Sequence, residues 1–205
     1  MASVYRVTCK MCRREGVSLC GRVKCAVKRR PSPPGIHGPN GYGKLTPYGT
    51  QLREKQKVKR SYGLRERQMR RYYDIAIGIK GNTGTLMGQA LELRLDSVVV
   101  RSGYAQTQFQ ARQIVSHGHI TVNGKRVDVP SYQTKPGDVI GLKRNGSGQV
   151  PTGIKSIADQ RSDRALPQWI AINNQTLEAT IVRRPEANEM PPQFNIRSIV
   201  EFYSR

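Results

Sequence analysis

The stretch that decides the fold runs from Thr85 to Lys143 and reads TLMGQALELRLDSVVVRSGYAQTQFQARQIVSHGHITVNGKRVDVPSYQTKPGDVIGLK. Its first part carries apolar residues at helical spacing, in two segments. Its second part alternates apolar and polar residues on both sides of Asn123–Gly124, the strongest short signal for a β-hairpin. We therefore predict two short helices followed by a tight hairpin, forming one compact α+β module.

Local signals mark the limits of these elements. Thr107 opens the second helix, and Gln110, three residues further on, completes a capping box. Gly118 suits the left-handed residue that commonly follows the end of a helix. The Pro–Gly turn at Lys135–Asp138 then leads into a third predicted strand, Val139–Leu142.

The charge of the chain indicates what the module binds. The 205 residues include 35 lysines and arginines against 14 acidic residues, a formal net charge of +21. Such an excess favours a polyanionic partner, above all nucleic acid. With only 6% aromatic residues, folded RNA read by shape and backbone is a better fit than single strands stacked on aromatic rings. No run of about twenty apolar residues is present, and we expect no membrane interaction.

Four cysteines lie within the first 25 residues, at Cys9, Cys12, Cys20 and Cys25. The C-x2-C and C-x4-C pairs can close a tetrahedral site of four thiolates, which predicts one structural zinc ion. The segment has too few apolar residues to fold alone, so the metal would serve as its core. An iron–sulfur cluster and four unlinked, reduced thiols are the alternatives.

The region between the cysteines and the module is predicted to be a linker followed by two helices. Residues 29–47 are rich in proline and glycine, which disfavours regular structure. A helix should start near Thr46 with a proline at its first position, and a second should run from Leu64 to Ile77. Few acids balance the cations from Arg53 to Arg71, so we predict phosphate contacts there rather than a merely solvated face.

The chain after the module is predicted to return to mixed structure. Residues 145–153 form a polar, glycine-rich loop, and Ile154–Arg164 form a short helix. Alternating residues predict strands at Trp169–Ile172 and Thr176–Val182, and the last segment, Ser198–Arg205, is interpreted as a docked strand.

No catalytic constellation or phosphate-binding loop motif stands out, and we expect no enzymatic activity and no small-molecule substrate. His117 lies at the end of its helix, where it either stacks or hydrogen-bonds with RNA or has a purely structural role. Asp96 is more typical of a helix cap or brace than of a proton-abstracting base. The residues predicted to gather phosphates around a groove of the module are Arg94, Arg101, Arg112, Lys125 and Arg126.

Over nearly its whole length the chain resembles the bacterial small-subunit ribosomal protein S-four (uS-four) family. The segments that carry the resemblance are Tyr48–Arg60, Lys80–Gly84, Arg94–Val99, Ala111–Gly118, Val122–Gly124 and Ile199–Arg205. The resemblance implies a cytoplasmic, ribosome-bound, primary rRNA-binding protein. Such a protein nucleates assembly of the subunit body on the five-prime domain of small-subunit rRNA. It also implies the third and fifth proteins of the subunit and incoming mRNA as neighbours, with an influence on translational accuracy through the fifth protein. Some relatives also repress their own operon.

The resemblance carries over a set of residues that contact rRNA: Lys44, Arg53, Lys55, Lys57, Lys59, Arg60, Arg67, Arg71, Arg94, Arg101, Arg112, His117, Lys125 and Arg126. Relatives often carry an arginine cluster before the helix that starts at Thr46, where this chain has only Lys44. The implied division of the chain is an arm with the metal knuckle at 1–45, a helical domain at 46–93 with 158–205, and the RNA-binding module at 94–157.

Two other functional classes are weaker interpretations. A pseudouridine synthase uses a similar module beside a large catalytic domain, but only about sixty residues follow Lys143 here, too few for such a domain. A ribosome-recycling or stress factor is disfavoured by the helical region before the module and by the Tyr-Ser-Arg ending.

Overall fold

A computed structural model describes residues 7–22, 24–41, 43–144, 152–159, 166–173, 175–191 and 193–204. The chain divides into two compact units, residues 1–88 with 190–205 and residues 89–189. The first unit is helical where it is described and the second combines helices with an antiparallel sheet, which confirms the predicted α+β class. No helix in the described ranges has the length and apolarity needed to cross a bilayer.

The first unit is built from helices that begin at recognisable caps. Its elements are α1 (Cys9–Glu15), α2 (Pro47–Ser61), α3 (Glu66–Ile77), the start of α4 (Thr83–Glu92), α8 (Ile196–Tyr203) and 3-10 turns at Ala26–Lys28 and Gly38–Asn40. The hydroxyl of Thr46 accepts a hydrogen bond from the backbone N–H of Gly49 at 3.1 Å, and Pro47 occupies the first helical position. Both features match the predicted helix start.

The C-terminal segment is a helix, so the predicted strand at Ser198–Arg205 is wrong. Ile196, Ile199, Val200 and Tyr203 have the i, i+3, i+4, i+7 spacing of one helical face, and α8 packs against α2 and α3. The side-chain oxygen of Asn195 caps the helix by accepting from the backbone N–H of Ser198 at 3.2 Å. Arg205 itself lies outside the described residues.

A carboxylate on α3 joins the helices of this unit. Glu66 accepts hydrogen bonds from the ammonium groups of Lys55 and Lys59 and from the hydroxyl of Tyr203, each at 2.8 Å. Burial of Glu66 raises its pKa, but these three hydrogen bonds outweigh burial and hold the pKa at about 2. The ring of Tyr203 also lies 5.0 Å from that of Tyr73, centroid to centroid.

Replacing this carboxylate should therefore change how stability depends on pH. The folded-state pKa of Glu66 lies below its ordinary 4.5, so its contribution is present above that value and disappears as pH falls towards the folded pKa. Since the side chain is 47% exposed, solvent screening limits the contribution to about 1 kcal/mol. Urea unfolding followed by circular dichroism should show Glu66→Gln less stable than wild type at pH 7. The difference should shrink as pH falls below 4.5.

The control removes the same charge from a more exposed position on α3. Asp74 is 58% exposed and lies 3.5 Å from Arg70. Asp74→Asn should cost at most a few tenths of a kcal/mol at pH 7. Equal losses in the two variants, or a Glu66→Gln loss that does not change with pH, would contradict the role given to Glu66.

The second unit contains a five-stranded antiparallel sheet in the order β2-β1-β3-β5-β4. Its elements are the end of α4, α5 (Leu95–Arg101), α6 (Gln108–Ser116), β1 (Ile120–Val122), β2 (Lys125–Arg126), β3 (Val139–Leu142), α7 (Thr152–Asp159), β4 (Ile170–Asn173), β5 (Glu178–Ile181) and a 3-10 turn at Ala187–Glu189. The predicted loop at 145–153 lies almost wholly outside the described residues, as does the predicted helix beyond residue 159.

The hairpin signals proved correct. Asn123 and Gly124 have φ angles of 51° and 77°, the left-handed pair that a two-residue hairpin turn requires. Gly118 follows α6 with φ 73°. The hydroxyl of Thr107 caps α6, while the side chain of Gln110 accepts from the N–H of Gln106, one residue earlier than a standard capping box.

The chain leaves the sheet after Val127, whose N–H donates to the carbonyl of Ile120 at 3.2 Å, rather than continuing to Val129 as the alternation indicated. Carbonyl groups of the loop that follows accept hydrogen bonds from the first turn of α5. The carbonyl of Pro130 accepts from the N–H of Asp96 at 3.1 Å, and that of Tyr132 accepts from the N–H of Leu95 at 2.9 Å. These contacts satisfy two backbone donors at the start of the helix. The residues are therefore used to hold α5 rather than to lengthen the hairpin.

The C-terminal strands belong to the sheet of the module. Val139 of β3 pairs with Thr180 of β5, and β5 pairs with β4. The described division therefore differs from the expected one, which assigned residues 158–205 to the helical domain. Helices α5 and α6 and the sheet share one core, whose fully buried members include Leu95, Val98, Tyr104, Ala111, Val115, Ile120, Ile140, Trp169 and Ile181.

Candidate nucleic-acid interface and metal centre

The cysteines of the arm meet in space. The Sγ atoms of Cys9, Cys20 and Cys25 all lie within 4.8 Å of one another, and none of the four cysteines forms a disulfide. Four thiolates around a zinc ion, each about 2.3 Å from the metal, lie roughly 3.8 Å apart. The upper limit of 4.8 Å is compatible with that value, so three cysteines are placed well enough to hold a metal.

The fourth cysteine lies beside this group. Cys12 is fully buried, and its thiol hydrogen-bonds with those of Cys20 and Cys25. Burial raises the pKa of Cys12 to about 12. Burial also tends to raise the pKa of Cys25, but hydrogen bonds from Ser18, Val27, Cys20 and Cys12 outweigh it and lower the pKa to about 7. One thiol is therefore already disposed to ionise, as metal binding requires.

An apolar shell surrounds the cysteines. Leu19 is buried with them, and the partly buried side chains packed against the cluster are Val7, Val17, Val27 and Phe194. These five apolar side chains are far fewer than an independent core needs. The donor set, its spacing and its shell fit a structural zinc ion, and among the described residues no His or carboxylate joins the cluster.

The cations of α2 are paired within the first unit. Glu15, at the end of α1, has a 1% exposed side chain and receives the guanidinium groups of Arg53, at 3.3 Å, and Arg60. Burial raises the pKa of Glu15, and the two arginines act in the opposite direction. The other predicted phosphate contacts on α2 are also paired: Lys55 and Lys59 with Glu66, and Lys57 with Glu54.

The cations of α3 remain accessible. Arg67 and Arg71 are exposed, and neither takes part in an ion pair among the described residues. Lys44, before α2, is also exposed. In this unit the accessible candidates are therefore Lys44, Arg67 and Arg71 rather than the α2 run.

The second unit buries one of the predicted phosphate contacts completely. Arg94 and Asp96 are both 0% exposed and form two parallel hydrogen bonds, Nε to Oδ1 at 2.9 Å and Nη2 to Oδ2 at 2.5 Å. Arg112 approaches the same carboxylate at 3.6 Å and is 18% exposed. Arg101 makes a similar double contact with buried Glu92, at 2.8 and 2.7 Å. The predicted groove thus contains a structural carboxylate–arginine network rather than a row of open cations.

The remaining cations converge where α6 meets the sheet. His117, Arg126, Lys143 and Arg144 are exposed at this end, whereas exposed Lys125 pairs with Val122 beside the Asn123–Gly124 turn, at the other end of β1. Arg126 lies opposite Thr121 in the hairpin, and its guanidinium lies where a Cβ on Gly118 would be, within 2.1–2.5 Å. The backbone N–H of Lys143 donates to the carbonyl of His119 at 2.8 Å, which joins the ends of β1 and β3.

Sequence reasoning missed His119, Lys143 and Arg144 in this surface. Their proximity depends on the β1–β3 register, in which Ile120 pairs with Leu142. Only the Gly118 and Asn123–Gly124 signals indicated that a turn would gather side chains here. The resulting surface, which we call the basic edge, comprises His117, His119, Arg126, Lys143 and Arg144, and its chemistry suits phosphate and base recognition.

Comparisons with known proteins cover the whole chain. Residues 4–92 match the family described as "Ribosomal protein S4/S9 N-terminal domain", and residues 93–140 match the "S4 domain". Relatives named "Small ribosomal subunit protein uS4" from Thermodesulfovibrio yellowstonii and Kosmotoga olearia are 46% and 44% identical over 100% of both chains. A relative named uS4A from Myxococcus xanthus is 42% identical over the same share. The chain therefore belongs to the uS4 family of ribosomal proteins, whose members are structural components without enzymatic activity.

Proposed function

We propose that this protein is a structural constituent of the small ribosomal subunit and a primary binder of its rRNA. It would bind the five-prime domain early and nucleate assembly of the subunit body, and its place would be the ribosome in the cytoplasm. The observation that carries the proposal is the basic edge, where exposed His117, half-buried His119 and the exposed cations Arg126, Lys143 and Arg144 lie at the ends of α6, β1, β2 and β3 in a chain of charge +21.

The cations fall into two groups, those free to contact phosphates and those that form ion pairs within the protein. Exposed residues (Lys44, Arg67, Arg71, Lys125 and Arg126) can reach phosphates without breaking existing pairs. The paired residues Arg53, Lys55, Lys57, Lys59, Arg60 and Arg101 would brace the fold and add long-range attraction. Arg94 has no accessible surface, so it would stabilise the fold without contacting RNA. Arg112 is partly exposed and lies 3.6 Å from Asp96, so it can both stabilise the fold and contact a phosphate.

The protein neighbours rest on family membership. We propose contacts with the third and fifth proteins of the small subunit, a position near the path by which mRNA enters, and an influence on translational accuracy through the fifth protein. With only Lys44 in the region before α2 that carries an arginine cluster in many relatives, a strong mRNA-unwinding role is not part of the proposal.

We also propose that Cys9, Cys12, Cys20 and Cys25 hold one structural zinc ion. The ion would supply the core that the arm lacks and would take no part in a reaction. Because α1 ends at Glu15, the knuckle would also fix the carboxylate that holds Arg53 and Arg60 on α2.

The decisive experiment is binding of the purified protein to a transcript of the five-prime domain over a range of salt concentrations, with an unrelated folded RNA as control. We expect tight binding selective for the five-prime domain that survives moderate salt. Equal affinity for both RNAs, lost at the same salt concentration, would overturn the proposal.

Neutralising one cation of the basic edge should change the salt dependence of this binding. We expect Arg126→Gln to weaken binding and to reduce the slope of log K against log [salt] by about 1, the loss of one phosphate contact. Lys135→Gln is the matched control, because exposed Lys135 lies in the turn at the opposite end of β3. Equal effects in the two variants would contradict a specific phosphate contact at Arg126.

A further inference from the structure

A buried glycine lies in the middle of the basic edge. Gly118 follows the end of α6 and is buried, although His117 beside it is exposed and His119 is half-buried. Its φ of 73° is left-handed, but Asn123 adopts φ 51° in the same unit. Since asparagine also tolerates such angles, the backbone conformation alone does not explain a glycine at this position.

The guanidinium of Arg126 fills the space that a side chain on Gly118 would need. A Cβ at Gly118 would come well under 3.0 Å from the Nε, Cζ and Nη2 atoms of Arg126, closer than real Cβ atoms approach a neighbour. Gly124 and Gly137 also have left-handed φ angles, yet a Cβ on either would meet nothing within 4 Å. Among these three glycines, only Gly118 makes room for another residue.

Arg126 differs from the arginines that stabilise the core of this unit. The guanidinium groups of Arg94, Arg101 and Arg112 approach buried carboxylates. Arg126 is exposed, and within the described ranges its side chain forms no ion pair or hydrogen bond. Its donors are therefore available to a ligand, while contact with Gly118 limits where the guanidinium can lie. A fork that is held in place before binding loses less conformational entropy when it binds an anion.

We propose that Gly118 is a positioning residue of the basic edge, whose missing side chain lets the Arg126 guanidinium lie at the end of α6 and bind one rRNA phosphate there. This inference rests on the proposed rRNA-binding function and gives one phosphate contact a fixed position. A phosphate presents two free oxygens, which match the paired N–H groups of a guanidinium. Exposed Lys143 and Arg144, directly after β3, add positive charge to the same edge.

Gly118→Ala should remove this contact without changing Arg126 itself. The added methyl group should displace the guanidinium rather than the backbone, because the guanidinium is the far end of a flexible side chain. Binding to the five-prime-domain transcript should weaken about tenfold at low salt, an ordinary loss for one hydrogen bond to a charged group. The slope of log K against log [salt] should fall by about 1. Adding Arg126→Gln to Gly118→Ala should cause little further loss, because both changes remove the same contact.

Two further variants separate displacement of the guanidinium from backbone strain. Gly137→Ala is the matched control, because it places a methyl group on a left-handed residue in open space. It should carry similar strain and bind with the wild-type slope. Gly118→Asn tolerates the left-handed angle better than alanine does, but its larger side chain occupies the same space. It should therefore show the binding defect even if Gly118→Ala does not fold.

Wild-type affinity and slope in a folded Gly118→Ala or Gly118→Asn variant would overturn the positioning role. The same conclusion would follow from full additivity of Gly118→Ala with Arg126→Gln, or from an equal loss in Gly137→Ala. If wild-type protein fails to distinguish the five-prime domain from an unrelated folded RNA, that result would instead overturn the proposed function.

Discussion

Asp96→Asn should destabilise the second unit by about 3–5 kcal/mol, the usual cost of breaking a buried ion pair by removing one partner. Arg94 is fully buried and directs two hydrogen bonds at the Asp96 carboxylate. Neutralising Asp96 leaves the guanidinium charge uncompensated in the core. This cost is a large fraction of the total stability of a typical domain. Unfolding in urea can be followed specifically in this unit, because the single tryptophan, Trp169, is buried there.

The exposed carboxylate variant Asp74→Asn provides the comparison for charge removal alone. A further variant, Arg94→Met combined with Asp96→Leu, removes both charges and should recover much of the loss, because apolar replacements of a buried pair are often neutral. Asp96→Asn that unfolds at the wild-type urea midpoint would contradict the structural role of the pair. A double variant worse than Asp96→Asn would show that packing, rather than the unpaired charge, sets the cost.

The burial of Arg94 illustrates what the sequence alone does not show. An arginine at the start of a helix normally extends into solvent, and residues two apart on a helix do not face each other. Arg94, however, precedes α5 with extended backbone angles, φ −67° and ψ 140°, so its side chain can reach Asp96. Whether it does so depends on the loop 127–134 that covers this turn, which no local pattern reveals.

Elements with local signals were predicted well. The cap at Thr46, the turn at Asn123–Gly124 and the left-handed Gly118 each encode their geometry in one or two residues. The strand prediction for the C-terminal segment was wrong because the short run from Ile199 to Tyr203 is compatible with both the helical period of 3.6 and the strand period of 2. Its helical form is decided by packing against α2 and α3, as tertiary context commonly overrides local preference.

The candidate sites also separate into features predicted by local sequence and features set by tertiary structure. Cysteine spacing alone predicted the cluster of Cys9, Cys20 and Cys25, because ligands of one ion are close in sequence. The pairing of Arg53 and Arg60 with Glu15 joins residues 38 and 45 positions apart, and the juxtaposition of His119 with Lys143 depends on strand register. A count of cations therefore overstated the accessible positive surface of α2 and missed part of the basic edge.

Removing the metal should have the largest effect in the first unit. We expect the purified protein to carry about one zinc ion per chain by elemental analysis, because binding to a structural thiolate site is worth about 10–16 kcal/mol at neutral pH. Cys25→Ser should lose the ion, whereas Met11→Leu, which removes a sulfur atom outside the cluster in α1, should retain it. Finding iron with acid-labile sulfide would mean that the site holds an iron–sulfur cluster instead of zinc. Purified protein that contains no metal and has four freely reactive thiols would overturn both the zinc site and the cluster.

The structural consequence of metal loss should be local. Once the ion is chelated, α1 has only a small apolar shell to hold it, so trypsin should cut rapidly after Arg13 and Arg14. Detachment of Glu15 should then release Arg53 and Arg60 from their buried contact. The fluorescence of Trp169 should not change, since its core draws only on residues of the second unit. Protection of α1 that persists after chelation would mean that packing, and not the metal, holds the arm.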